Sequence, residues 1–425
     1  MAKIEPTTGA PATEPDQQAS VAPTGTQSAN AYAHAWWGRV RGGEMGVLPV
    51  LAGLLLVSVL FQSQNDNFLT VGNLVNLLVQ ASVFSLLAMA EVYALLLGEI
   101  DLSIGFVAGL GGVVMAELAK PAGAHWPWWA AIGAALLLTA LIGLLQGSLI
   151  TRLGLPSFVV TLAGLLFWQG VMLRILGDGG SILIQDETIN NIASANLSRI
   201  GGWVVMLVVV GVYAALTWRR DSRRRASGLV APPQSLTIAK IVGALAGGVV
   251  LVLICNANRG RIVDVYGVPW VILVVLAVLA AWTFVLGRTR YGRYVYAIGG
   301  NAEAARRAGV NLARIRTTAF ILCSFTAGIA GVVYASRLRS ISTSVDGGTL
   351  VLYAVAAAVI GGTSLFGGRG KAVDGVLGGI VIAAIYNGMG LLGFSAATQY
   401  MVTALVLLAA VTIDALARRN RPTLR

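Results

Sequence analysis

The chain has 425 residues, 56% hydrophobic and only 11% charged, with a mean hydropathy of +0.78. Soluble domains carry about 25% charged residues, so a chain this long and this poor in charge cannot cover a water-facing surface and takes lipid as its main solvent. The net charge of +12 would suit a nucleic-acid partner, but the way it is distributed argues against that class.

Residues 1–40 form a tail rich in Ala, Pro, Thr, Gln and Ser. It has too few large apolar residues to offset its ordering entropy, and reads as disordered and cytoplasmic. It lacks the basic-then-apolar start of a cleaved signal peptide. Trp36, Trp37, Arg39 and Arg41 then stand as an interfacial anchor before the first apolar run. Cys255 and Cys323 lie in or beside apolar runs, and His34 and His125 lie outside them. These residues give no disulfide framework and no metal-ligand spacing, so no metal site is expected.

A spanning helix needs roughly 20 apolar residues. Twelve segments qualify: Met45–Phe61, Leu74–Leu97, Leu102–Ala119, Trp128–Ile150, Pro156–Leu176, Gly202–Trp218, Ile238–Cys255, Gly267–Leu286, Ile315–Ala335, Leu350–Phe366, Ala372–Leu392 and Thr398–Leu416. The expected fold class is therefore all-α, a polytopic helical membrane protein with about 12 transmembrane helices. Helices suit lipid because each satisfies its own backbone. With the N-terminus inside, twenty-three of the 30 Lys and Arg fall in inside segments and six in outside ones. The positive-inside rule then puts both termini in the cytoplasm. The transmembrane body spans 41–417, with an inserted helix pair at 202–255, an interior loop at 287–314 and a basic cytoplasmic tail at 418–425.

Two interior loops stand out. One holds Arg219, Arg220, Arg223, Arg224 and Arg225 and reads as a topogenic, lipid-facing loop. The other carries Asn301, Glu303, Ala304, Ala305 and Gly309. Asn301 can cap a helix, Glu303 suits its first turn, Ala304, Ala305 and Ala308 keep one face slim, and Gly309 can end it. The result is a short surface helix that either fits a groove on a cytoplasmic partner or is an ordinary amphipathic segment.

Asp101 and Ser103 sit at the inside start of the third span, as helix caps or as a gate near the cytoplasmic mouth. Gly361, Gly362, Gly367, Gly368 and Gly370 precede Lys371, but a phosphate loop needs Gly at 365 and Ser or Thr at 372, where this chain has Leu365 and Ala372. The glycines instead permit a tight re-entry between helices. Residues 94–105 faintly echo 358–367, both at inside joints. Glu91 lies within a span, where a carboxylate costs roughly 2.5–3.5 kcal/mol at the centre. It faces a water-filled vestibule or is protonated. The spans show no His, no paired carboxylates and no metal constellation, so no catalytic residues are expected. Gln80, Tyr93, Thr161, Trp168, Gln169, Tyr386 and Asn387 are candidates for a weakly polar substrate path, with Gln146, Tyr353, Gln399 and Tyr400 as further polar residues in spans. Helix–helix hydrogen bonding is the alternative role for each.

Several stretches resemble one family. Glu303-Ala304-Ala305-x3-Gly309 resembles the coupling loop of bacterial ATP-binding-cassette importers, without the Ile-x-Leu-Pro tail of the general pattern. Residues 99–105 (EIDLSIG), 155–164 (LPSFVVTLAG), 291–301 (YGRYVYAIGGN) and 360–368 (IGGTSLFGG) resemble, in family order, segments of monosaccharide permeases. The inserted helix pair makes the likeness strongest to xylose-type members. The resemblance implies a homodimeric permease subunit, two copies forming one translocation path, docked to a cytoplasmic ATPase and to a periplasmic or lipid-anchored sugar-binding protein. It implies no cofactor on this chain, ATP being used by the ATPase subunit. A proton-coupled secondary sugar transporter using Glu91 is the alternative.

Overall fold

The computed structural model describes residues 47–228, 231–260 and 262–419. The predicted N-terminal tail and its Trp36–Arg41 anchor lie outside them, as do 420–425 of the basic C-terminal tail. The described residues form fifteen α-helices and one small two-stranded sheet. In chain order they begin α1 (Leu48–Gln64), α2 (Val71–Leu96), α3 (Ile104–Ala119), α4 (Trp128–Arg152), α5 (Ser157–Leu176), β1 (Ser181–Leu183) and α6 (Glu187–Ser194). There follow α7 (Arg199–Ala226), α8 (Gln234–Asn256), α9 (Val271–Arg288), α10 (Arg290–Gly300), α11 (Ala302–Arg307) and α12 (Leu312–Leu338). The chain ends with β2 (Ser340–Ser342), α13 (Gly347–Ile360), α14 (Ala372–Leu391) and α15 (Ala396–Arg419).

Eight of these helices are long and apolar enough to cross a membrane, and α1, α3, α13 and part of α15 are shorter apolar helices. Each falls on one of the segments picked out by hydropathy, and the fold is a polytopic helical membrane protein. The chain divides into a main body, which holds 47–208 and 247–419, and a smaller unit that holds 209–246.

Four details correct the sequence reading. The Arg219–Arg225 run is not a loop but the last two turns of α7, because Arg is a good helix former even where the apolar window has ended. The tenth segment stops as a helix at Ile360 rather than Phe366, leaving the glycine-rich 361–371 as an open joint. The interior loop holds two helices, α10 and α11, separated by Asn301. Finally, β1 and β2 pair antiparallel, Ile182 opposite Ile341, where no strand was expected.

In the main body α2 is the most enclosed span, with 83% of its apolar window buried. It packs against α12, α13 and α14, while α12 also packs on α3 and α4. Lipid gives helices no hydrophobic reason to associate, so packing must come from close backbone approach at small residues. Gly143 and Gly147 of α4 face α12, where an added Cβ would lie 2.3 Å from Phe320 O and 2.9 Å from Thr317 Cα. Gly331 of α12 lies against α3, with 1.9 Å between its would-be Cβ and Ala108 O. Adjacent glycines on α14 serve two neighbours: Gly378 meets Ala357 of α13 and Gly379 meets Ser85 of α2.

The sequence of glycines therefore sets the helix spacing. Gly331→Ala should force α12 off α3 and destabilise the body by about 1–3 kcal/mol. Gly133→Ala, at an exposed site on α4 with nothing within 4 Å, should be neutral or stabilising, by up to about 1 kcal/mol. Thermal unfolding midpoints of both variants in detergent check this contrast.

Candidate functional site

Two places in the main body collect the predicted residues. The first is where α2 ends. At 1.5 Å per residue, the 16 residues of α3 and 14 of α13 span only about 24 and 21 Å, short of a hydrocarbon core about 30 Å thick. Irregular joints, 97–103 and 361–371, adjoin these short helices, and a span shorter than the hydrocarbon core would draw such joints toward membrane depth. Backbone of that kind is tolerated there only when it is buried in protein.

The two joints meet. Leu96 O, one of the last carbonyls of α2, accepts from Gly368 N at 2.9 Å, which satisfies a helix end that would otherwise be an orphan. The end of α10 closes on the same spot. A Cβ on Gly299 would sit 1.8 Å from Leu96 O and 2.5 Å from Gly368 N, so only hydrogen fits. Tyr296 of α10 donates through its hydroxyl to Gly370 O at 2.7 Å. Gly362, Gly367 and Gly368 all have positive φ, the conformation that re-entry requires and that side chains resist. Gly361 lies against Asp374 O at the start of α14, with no room for a Cβ.

Immediately after this junction Asn301 caps α11, its Oδ1 accepting from Ala304 N at 2.9 Å. Glu303 bridges to Arg306 and Arg307, each at 2.9 Å. These hydrogen bonds from Arg306 and Arg307 hold its carboxyl below the usual 4.5. Gly309, at φ +83°, ends the segment. Ala304 and Ala308 are exposed, but Ala305 is buried against the body. The slim face expected from the sequence is therefore split: one methyl is used internally and two are free.

Asp101 and Ser103 do not cap α3 as expected. Ser103 occupies the cap position without a side-chain bond to the helix. Asp101 Oδ1 accepts from Ser103 N at 2.9 Å and from Ser103 Oγ at 2.6 Å. Since that hydroxyl has one proton, it accepts in turn from Gln146 Nε2 at 3.0 Å. Cys323 Sγ donates to Asp101 Oδ2 at 3.7 Å. Asp101 N donates to Glu91 Oε1 at 3.2 Å. The turn at 97–103 folds α3 back and brings the backbone N–H of Asp101 to the Glu91 carboxyl. Glu91 is fully buried rather than facing a vestibule, and its Oε2 has no hydrogen-bond partner. Among the described residues neither carboxyl is ion-paired; the nearby pair is Arg316 with Glu99 at 3.3 Å.

The second place is the opposite end of α2. Asn73, Asn76, Gln80, Tyr386, Asn387 and Gln399 line a cavity of about 210 Å³. Asn73 and Asn387 exchange amide hydrogen bonds of 2.7 and 3.0 Å. Gln80 is buried and its Oε1 has no partner. Tyr386 packs edge-on against Phe84, centroids 5.6 Å apart.

Of the predicted path residues the structure unites Gln80, Tyr386 and Asn387. Tyr93 is instead sealed in the core against Trp282, centroids 5.3 Å apart. Thr161 donates to its own helix at Ser157 O, 2.9 Å, and lies 3.3 Å from Ile100 O at the joint. Trp168 and Gln169 sit together on α5, away from the cavity. Asn73 was missed because the apolar window opens at Leu74, and Asn76, just inside that window, because its apolar neighbours mask it. Their spacing from Gln80, seven and four residues along a helix, marks one face and would have found them.

The family model described as Branched-chain amino acid transport system / permease component matches residues 73–411. Xylose transport system permease protein XylH of Escherichia coli is 33% identical over 378 residues, 89% of this chain and 93% of that protein. The protein of the same name from Haemophilus influenzae is 33% identical over 385 residues, 88% of this chain and 98% of its own length. Ribose import permease protein RbsC of Escherichia coli is 30% identical over 364 residues, 86% and 92% of the two chains. No solved structure matches the chain. With apolar helices throughout, it is a multi-pass transport protein of the bacterial inner membrane, not an enzyme, and it belongs to the Branched-chain amino acid transport system / permease component family.

Proposed function

We propose that this chain is the membrane permease subunit of an ATP-driven monosaccharide importer, with xylose as its sugar. The observation that carries the reading is the junction of Leu96, Gly299 and Gly368, which ties the end of α10, one residue before α11, to both joints without an intervening side chain. A cytoplasmic ATPase that grips α11 through Glu303, Ala304, Ala308 and Gly309 would move both joints together and switch the path between outward and inward states. Two copies of the chain would form the path, a periplasmic or lipid-anchored binding protein would deliver the sugar, and ATP would be used by the ATPase alone. The similarity to xylose permeases from two organisms supports the sugar assignment.

The amide-lined cavity supports a neutral, hydroxyl-rich solute. Asn and Gln both donate and accept, as sugar hydroxyls do, and bring no fixed charge. The orphan Gln80 Oε1 costs about 1–3 kcal/mol while unsatisfied, a cost that a sugar hydroxyl would remove. A proton-coupled mechanism through Glu91 is disfavoured by that residue's burial and by the engagement of its Oε1 by Asp101 N. In that case an uncoupler would abolish uptake at constant ATP.

In proteoliposomes holding permease, ATPase and sugar-loaded binding protein, Glu303→Arg and Gly309→Trp should abolish uptake and uncouple ATP hydrolysis from it while the permease stays folded. Normal sugar-stimulated hydrolysis in both would sink the docking claim. Gln80→Leu should lower uptake roughly ten-fold, the equivalent of one hydrogen bond of about 1.4 kcal/mol, with stimulated hydrolysis retained. Unchanged uptake would remove Gln80 from the path. Because Glu303 is held below 4.5, its clamp on Arg306 and Arg307 is complete at neutral pH and is released only as acid takes the carboxyl through that lowered value. Coupling should therefore show no titration from this group between about pH 6 and 8, which ATPase assays across that range check.

A further inference from the structure

The small unit at 209–246 has features that transport does not use. Between these positions the sequence holds six basic residues and one acidic residue, Asp221. Helical phase sorts them. Arg219 with Arg223 and Arg220 with Arg224 are four apart and exposed, so they form two stacked pairs. Asp221 and Arg225, also four apart, turn the other way. Asp221 is buried and its Oδ2 accepts from Thr237 Oγ1 at 2.9 Å. Arg225 donates to Pro232 O at 3.1 Å. The inner pair thus clips α7 to the start of α8, and the outer four arginines are held outward with no second acidic residue between positions 209 and 246 to neutralise them.

The surface beside them is hydrocarbon. Val212, Leu216, Trp218, Ile238 and Val242 are all exposed. Between the two helices runs a shallow groove of about 440 Å³, lined by Ala214, Ala215, Trp218, Ile241 and Arg219. Two alanines keep it open, an aromatic ring forms one wall, and the one charged group in its lining is a guanidinium.

We infer that this groove and the arginines below it bind an anionic phospholipid of the cytoplasmic leaflet. An acyl chain lies in the Ala214–Ala215–Ile241 groove, and the headgroup phosphate is held by Arg219 with Arg220 and Arg223. An acidic protein surface would satisfy the arginines but not the exposed apolar collar directly above them. A phospholipid presents both chemistries at that separation, and Arg meets phosphate with a planar two-donor fork. Trp218 at the boundary suits headgroup depth.

The test is lipid retention. The full-length permease is placed in nanodiscs of equimolar phosphatidylglycerol and phosphatidylcholine, then delipidated stepwise, and the retained lipid is read by native mass spectrometry. The wild type should retain phosphatidylglycerol with roughly ten-fold preference. Arg219→Gln/Arg220→Gln/Arg223→Gln/Arg224→Gln should lose the preference. Ala214→Trp, which keeps every charge and only fills the groove, should lose it too and guards against misinsertion of the charge variant. No preference in the wild type, or a preference unaffected by Ala214→Trp, overturns the site. So does displacement of the retained lipid by inorganic phosphate alone, or by purified ATPase subunit.

Discussion

The fold depends on backbone meeting backbone in the absence of side chains. In water, apolar side chains would drive these helices together; in lipid they gain nothing by leaving one solvent for another like it. What remains is contact at short range, and that demands glycine. The same device works at two scales. Along the spans, Gly143, Gly147, Gly331, Gly378 and Gly379 set how closely helices lie. At the junction, Gly299 lets the end of α10 rest on Leu96 O and Gly368 N. The junction is the more demanding of the two, because it joins three segments instead of two and leaves none of them a rotamer with which to adjust.

The polar groups inside the bundle follow from where the helices are cut short. Because α3 and α13 are shorter than a full hydrocarbon core, turns beside them that lie at membrane depth must be fed with hydrogen bonds from within. Leu96 and Gly368 do this for one joint, and Asp101, Ser103, Gln146 and Glu91 for the other. The carboxyl at Asp101 acts on Ser103 and Cys323 as a positioning group, tying α3, α4 and α12 to the turn. It draws the end of α2 into the same network through Glu91.

The spans were legible in the sequence because hydropathy is a local property, and so was the cap at Asn301, where residue type and spacing suffice. The functional contacts were not. Asn73 and Asn387 are 314 residues apart, and nothing in either segment names the other. Glu91 and Asp101 are only ten apart, yet their meeting depends on the angle at which α2 hands over to α3. Ser181–Leu183 and Ser340–Ser342 are too short and too plain to be read as strands until each is placed beside the other. The Arg219–Arg225 run misled for the opposite reason: a change of solvent from lipid to water was read as a change of secondary structure, and the helix simply continues.

The amide pair between Asn73 and Asn387 has a further consequence. It ties α2 to α14 with two hydrogen bonds at the edge of a cavity that three more amides, Asn76, Gln80 and Gln399, help to line. Parting the two helices there breaks both bonds and frees two carbonyl oxygens and one N–H of each amide, while Asn73 Nδ2 keeps its bond to Phe68 O. A solute rich in hydroxyl groups offers both donors and acceptors at that moment, so each bond broken in the wall can be remade to the cargo. If the sugar proposed above passes here, the latch and the passenger would compete for the same groups, and opening this end of the bundle would cost less with the passenger present.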